Sequence, residues 1–381
     1  MSFSLYVHIP YCLTKCPYCD FNAYGVRTWP EEHYVDALCA ELRHYISQTP
    51  WHEQVIETIY FGGGTPSLFA PASIGRFLKF LANLCPLAPD LEVTLEADPA
   101  TVTLEKLAGF HSIGINRLSF GTQSFQPTLL KTLGRLHSAE EGLRAIAWAR
   151  DSGFTNLSLD LIFAVPGQTL PMLESDLSQA LACMPEHISL YNLTYEENTP
   201  FFAMKQKGQL QPVDEDDEVA MYALVREQCA AKGYRHYEIS NFARPGFSSH
   251  HNANYWNGGS YLGLGAGAHS FAREPDWGRR WSNEKNPKTY VKKALASGNT
   301  QNFQETLTRA QALGEFVFLH LRQLDGFMPA TFAERFAVSL AEEFPHVTTL
   351  LAEGLLSEEG GRVKLTPRGL LIADSVFASF F

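Results

Sequence analysis

The chain has 381 residues, 45% hydrophobic and 19% charged, the composition of one large globular domain or of a large and a small one. It has no uninterrupted apolar run of about 18 residues, as a membrane span requires, and its first segment, MSFSLYVHIP, lacks the pattern of a secretory signal, so a cytoplasmic location is expected. A formal net charge of −11 argues against the basic stripe of a nucleic-acid binder.

Short β-rich runs alternate with amphipathic helical patterns from the amino terminus onward. Strands are predicted at SLYVHI (4–9), TIYFGG (58–63), EVTLEA (92–97), RLSFGT (117–122), LSLDLIF (157–163) and ISLYNL (188–193). Helices are predicted around 31–48, 71–84, 103–112, 138–152 and 169–183, with Pro71 and Ser138 as starts and Gly114 and Gly153 as stops. Such alternation builds an α/β fold with a parallel sheet and crossover helices. Six units fit an incomplete, TIM-like (β/α)6 barrel, although a doubly wound sheet satisfies the same pattern. The barrel is favoured by the chemistry gathered after each strand: the cysteines, GGGTP, EADP, GTQSF, DLIFAVPGQ and NLTYEE. In a barrel these ends share one catalytic face.

After about residue 195 the alternation fades. The acidic run DEDDE, 214–218, reads as the solvated first turn of a helix, where carboxylates suit the helix dipole. The expected organisation is a partial barrel over 1–233, a Gly- and aromatic-rich extension over 234–304, and a mainly helical, winged-helix-like domain over 305–381. That last region carries six Lys/Arg against ten Asp/Glu, which suits a structural or docking module better than a DNA reader.

Of seven cysteines, Cys39, Cys85, Cys183 and Cys229 lie far apart in apolar or helical surroundings and read as small buried hydrophobes. Cys12, Cys16 and Cys19 form C-x3-C-x2-C in YCLTKCPYCDFN. A structural zinc site usually takes four ligands from two pairs; His8 is conceivable as a fourth, but no second pair exists. A [4Fe–4S] cube normally takes four thiolates, so three leave one iron open to an exchangeable ligand. This arrangement resembles the radical S-adenosylmethionine (SAM) superfamily, in which the open iron is chelated by the amino and carboxylate groups of SAM.

The resemblance sharpens along the chain. LYVHIPYC, CPYCDF, FGGGTPS, GINRLSFGTQSF, LGRLH, LDLIFAVPGQT, YEISNFA and HNANYW together resemble the branch that holds oxygen-independent coproporphyrinogen III oxidase and the HemW-type haem chaperones. The resemblance implies Cys12, Cys16 and Cys19 as cluster ligands and Tyr6 beside SAM. Gly63, Gly64 and Thr65 would bind SAM through their backbone, and Glu96 would hold its amino or ribose end. Gln123, Arg135 and Asp160 match SAM-contacting positions, and Tyr18 would stack near the cluster.

Two departures separate the branches. The oxidase carries a further cysteine two residues after the third, where this chain has Phe21, and a long extension before its cluster, whereas Cys12 here stands near the start. Both match the chaperones and count against decarboxylation of coproporphyrinogen. The HNANYW segment, with His251, Asn252, Tyr255 and Trp256, resembles their proposed haem-binding motif. His251 is the expected haem ligand, with His250 and His269 as alternatives, and a neutral imidazole suits iron. The resemblance thus implies a SAM-ligated [4Fe–4S] protein that binds haem and passes it to an acceptor haemoprotein. Delivery is expected at the inner face of the membrane, by peripheral association through clients, with the oligomeric state open.

Overall fold

The six predicted strands all form in the computed structural model, which describes residues 2–48 and 50–381. They are β1 (Ser2–Ile9), β2 (Val55–Gly63), β3 (Leu87–Ala97), β4 (Arg117–Gln123), β5 (Leu157–Phe163) and β6 (His187–Asn192). All pair in parallel and in chain order. The crossovers are α1 (Glu31–Ile46), α2 (Pro71–Ala82), α3 (Leu104–Ser112), α4 (Pro127–Thr132), α5 (Ala139–Asp151) and α6 (Leu170–Ala182). Pro71 opens α2, and Ser138 caps α5 through a reciprocal capping box with Glu141.

Alternation along the strands sorts two faces. Leu5, Val7, Ile59, Phe61, Val93, Leu95, Leu118 and Phe120 join the apolar core beneath the helices. The intervening residues, Tyr6, His8, Tyr60, Glu96, Ser119 and Asp160, hydrogen-bond with one another or with other polar groups across the concave face. That polar face is where the sheet keeps its chemistry.

The chain then continues through α7 (Pro200–Gln206), α8 (Glu215–Ala231), β7 (Arg235–Glu238), β8 (Asn241–Ala243) and α9 (His250–Trp256). The acidic residues at 215–218 form the first turn of α8. The sequence pattern ends the parallel set at six strands, and here the structure corrects it. A seventh, β9 (Tyr261–Leu264), pairs in parallel with the free side of β1. Three antiparallel strands follow: β10 (His269–Ala272), β11 (Arg279–Asn283) and β12 (Gln301–Thr306). The sheet order is β12-β11-β10-β9-β1-β2-β3-β4-β5-β6-β8-β7, and among the described residues its two ends do not pair, so the barrel stays open.

Helix α10 (Pro287–Ser297) packs against α1. From α11 (Arg309–Leu321) onward the chain is mostly helical and has its own core, including Phe316, Phe332, Phe336, Val363 and Phe377. A hairpin of Leu356–Glu359 and Arg362–Leu365 supplies the wing. Cys85 and Cys229 are buried, and Cys39 and Cys183 pack half-buried against the main core. No helix among the described residues is long and apolar enough to cross a membrane.

A candidate cofactor site at the strand ends

The cysteines lie on the loop that leaves β1. The loop is pinned by a short parallel pairing of Tyr11–Cys12 with Tyr24–Gly25, so it folds back over the strand ends. All three thiols are half-buried. The Thr65 hydroxyl donates to Cys12 Sγ at 3.4 Å, and Arg135 Nη1 donates to Cys16 Sγ at 3.6 Å. Burial pushes the Cys12 thiol up to about 11 and raises Cys19, while the Thr65 hydroxyl pulls Cys12 down. The sulfurs are near enough to influence one another, yet no group of three His, Cys, Asp or Glu among the described residues is placed to enclose a single metal ion.

Beside the loop, β2 ends in glycines. Gly63 has φ +111°, and a side chain there would fall on the His8 ring, while a Cβ on Gly64 would lie 2.7 Å from Tyr11 O. Gly63 N donates to Glu96 Oε2 at 3.1 Å, Gly64 N to Ile9 O at 2.8 Å and Thr65 N to Tyr11 O at 2.8 Å. These N–H groups therefore tie the glycine turn to Glu96 and to the cysteine loop. Tyr60 donates to Glu96 Oε1 at 2.9 Å, and burial raises Glu96 to about 7. Tyr6, hydrogen-bonded to His8 Nδ1 at 2.9 Å, stacks against Tyr60.

Asp160 accepts from Ser119 at 3.0 Å to each oxygen, and burial raises its pKa against the Ser189, Ser119 and Ser158 hydroxyls. Gln123 closes β4 with φ +66°, a strained value for a side-chain-bearing residue. Its amide and Arg135 Nη2 both stand over Gly121, where a Cβ would meet them at 3.0 and 3.2 Å. Arg135 Nη2 donates to Asp98 Oδ2 and Gly121 O, both at 2.7 Å. Tyr18 packs on Phe201 beside Cys16 and Arg135. The structure thus places the cysteines, Gly63, Gly64, Thr65, Gln123, Arg135 and Tyr18 at or beyond strand ends, and Tyr6, Glu96 and Asp160 within the strands. Asp98, the partner of Arg135, was not singled out, although its EADP segment stood among the polar strand ends.

The HNANYW segment lies against Thr58 and Tyr60 of β2 and Glu92 of β3. It forms α9, capped by Ser249, whose oxygen accepts from Asn252 N at 3.2 Å. Glu92, midway along β3, accepts from His250 N and His251 N at 3.1 Å each. The His251 ring is 1% exposed and stacks on Tyr60 with centroids 4.9 Å apart. Its Nδ1 meets Thr58 Oγ1 at 2.7 Å and its Nε2 meets Tyr255 OH at 2.9 Å. Because Thr58 gives its own proton to Ser4, Nδ1–H donates to Thr58 and Nε2 accepts from Tyr255. Burial lowers the ring to about 3, so it is neutral. Both nitrogens of His251 are engaged inside the fold. His250 is exposed beside a cleft of about 640 Å³ lined also by Glu57, Asp90 and Asn254. His269 is exposed on β10 and close enough to His8 to affect its charge.

Residues 6–180 match the profile of the Radical SAM superfamily, and residues 307–372 that of the HemN C-terminal domain. The heme chaperone HemW of Bacillus subtilis is 37% identical over 379 residues, covering 99% of this chain and 98% of that protein. The HemW of Escherichia coli is 34% identical over 384 residues, covering 99% and 97%. The chain belongs to the HemW family. A mouse relative, radical S-adenosyl methionine domain-containing protein 1, mitochondrial, is 36% identical over 98% of this chain and 86% of its own length. The solved coproporphyrinogen III oxidase HemN of Escherichia coli shares the fold with a TM-score of 0.84 and 24% identity, covering 100% of this chain and 90% of that one.

Membership of the HemW family, within the radical SAM superfamily, brings a [4Fe–4S] cluster and SAM. The residues present fit both groups. Three adjacent thiols, two of them already receiving hydrogen bonds, suit anionic sulfur ligands, and the glycine turn leaves room where side chains would clash.

Proposed function

We propose that this protein is a haem chaperone: it binds haem and passes it to acceptor haemoproteins while carrying a SAM-ligated cluster. The observation that carries the reading is the 33–37% identity to HemW chaperones of Bacillus, Lactococcus and Escherichia over 99% of this chain. Phe21, where the oxidase motif continues with a cysteine, supports it.

In this reading Cys12, Cys16 and Cys19 hold the cube, and Thr65 and Arg135 steady two of their thiolates through hydrogen bonds. Glu96 and Asp160, both raised by burial, would ionise against a cationic cofactor, with Tyr60 and the serines fixing their orientation. Gln123 and Tyr6 flank it, and Tyr18 shields the cysteine loop. When bound, such a cluster supplies an electron able to cleave the sulfonium of SAM. His251 would hold haem, and its Nε2 would first have to leave the Tyr255 hydroxyl.

Protein reconstituted without oxygen is expected to hold about four irons per chain. It should bind hemin, pass it to an apo-haemoprotein, and release no carbon dioxide from coproporphyrinogen III with SAM and a reductant. Failure to transfer haem, or stoichiometric carbon dioxide, refutes the chaperone reading.

A further inference from the structure

The helix that carries His251 is fastened at both ends, by different parts of the molecule. α9 spans only seven residues, too few to persist without tertiary contacts. At its start β3 holds it, through Glu92 and the backbone N–H groups of His250 and His251. At its finish the hold comes from the C-terminal domain, where α11 packs on α9. Arg322, which caps the end of α11, lays its guanidinium 4.5 Å from the centroid of the Trp256 ring, a cation–π contact. Beside it, Gln323 Nε2 donates to Asn257 Oδ1 at 3.0 Å.

The second fastening is the poorer one. Arg322 Nε, Trp256 Nε1 and the nearby Glu238 Oε1 are buried polar atoms that find no partner among the described residues. Arg322 stands near enough to Glu238 to favour its charged form without bonding to that oxygen. Buried polar groups left unbonded weigh against the closed arrangement, and they regain hydrogen bonds when it opens to water. The start of α9 is better satisfied, since Ser249, Glu92 and both His251 nitrogens are all bonded.

Binding at His251 depends on that difference. The ring is 1% exposed, and its Nε2 is held by Tyr255, the neighbour of Trp256 in the same helix. Iron reaches Nε2 only if Tyr255 moves, and Tyr255 belongs to the helix end that Arg322 holds. A cleft of about 640 Å³ already borders α9 at His250 and Asn254.

We infer that Arg322 is a positioning residue for haem binding: acting through Trp256, with Gln323 on Asn257, it latches the C-terminal domain onto α9 and keeps His251 closed until the latch opens. This deepens the haem reading above and rests on it. Only molecules with the latch open then bind haem, so the apparent affinity is reduced by their fraction.

The test is hemin titration of cluster-loaded wild type, Arg322→Ala, Arg322→Lys and Gln323→Ala, with hydrogen exchange of the hemin-free proteins. Arg322→Ala removes the cation over Trp256 and should raise the apparent hemin affinity about three- to tenfold, with the Soret maximum unmoved. Arg322→Lys, which keeps a cation for the ring, should stay nearer wild type. A contact that merely supports the fold would, when lost, leave the affinity unchanged or lower it, so the sign of the change decides. Exchange should quicken at residues 250–257 ahead of the rest of the chain. If Arg322→Ala does not fold, Gln323→Ala decides by the same sign. Unchanged or lower affinity in the folded variants overturns the inference, as does exchange that quickens evenly along the chain. Wild type that binds no hemin overturns the haem reading instead, and exchange at 250–257 alone then decides whether Arg322 holds the helix.

Discussion

Arg135 donates from one terminal nitrogen to Asp98 Oδ2 at 2.7 Å and from the other to Cys16 Sγ at 3.6 Å. One side chain therefore couples the end of β3 to the cysteine loop. The pair is mostly shielded, with side-chain exposures of 11% and 20%. Removing the carboxylate leaves the guanidinium uncompensated next to the thiols. Asp98→Asn is expected to cost about 3 kcal/mol in urea unfolding and to lower iron retention. A variant with wild-type stability and iron content would show that Asp98 does not position Arg135.

His251 and Tyr255 make a second pair whose bond has a direct chemical consequence. The Nε2 lone pair that iron would take is held by the Tyr255 hydroxyl at 2.9 Å. Tyr255→Phe removes that competitor and keeps the ring, so hemin affinity should rise, by about three- to tenfold for one neutral hydrogen bond of about 1 kcal/mol. His251→Ala should abolish the corresponding Soret shift. Equal affinity in wild type and both variants moves the iron ligand to His250 or His269.

The interior histidine His187 predicts a pH dependence. Its ring nitrogens meet Ser158 Oγ and Tyr237 OH, each at 2.8 Å, and burial, then the nearby Arg117, drives its pKa well below 6.5. The unfolded chain then binds a proton that the folded chain refuses, so the stability that the neutral ring contributes is present above 6.5 and is lost as pH falls below it. Between pH 7.5 and pH 5 this one residue should lower stability by about 2 kcal/mol. Denaturant midpoints at both pH values, for wild type and His187→Gln, isolate the effect. A variant with the same pH slope as wild type would mean that His187 titrates normally in the fold.

Glu41 is the structural counterpart. Fully buried in α1, it accepts from Gly265 N at 2.9 Å and from Asn283 Nδ2, Tyr290 OH and Thr300 Oγ1 at 2.6 Å each. Glu41→Ala strands four donors at once and should cost about 4 kcal/mol or more. The loss should appear first as exposure of β11 and α10 to hydrogen exchange. Uniform exchange across the chain would mean that the acid does not anchor the extension in particular.

The legible part of the fold was the part with strong local signals. The six longer parallel strands announced themselves through apolar alternation bounded by glycine and proline, and Ser138 was legible as a helix start. The seventh strand was not legible, because YLGLG is short and glycine-rich and gains its place only from the free edge of β1. The SAM-end residues were named through the family resemblance of motifs that lie in the strands or in the segments after them. Asp98, one residue beyond the end of β3, was passed over because nothing local marks it as the partner of a residue 37 positions later.

The sequence by itself determined the cysteine triad and the polar strand ends, since residues within one loop or just past a strand are brought together by the covalent chain and by strand direction. Only the tertiary structure decided that Arg117 Nε has no partner among the described residues, that His251 is enclosed between Thr58 and Tyr255, and that Glu41 gathers donors 224 to 259 residues away. The charge or polarity of such a residue reads as surface in the chain. It becomes interior only when sheet register and helix packing remove its water and choose its neighbours.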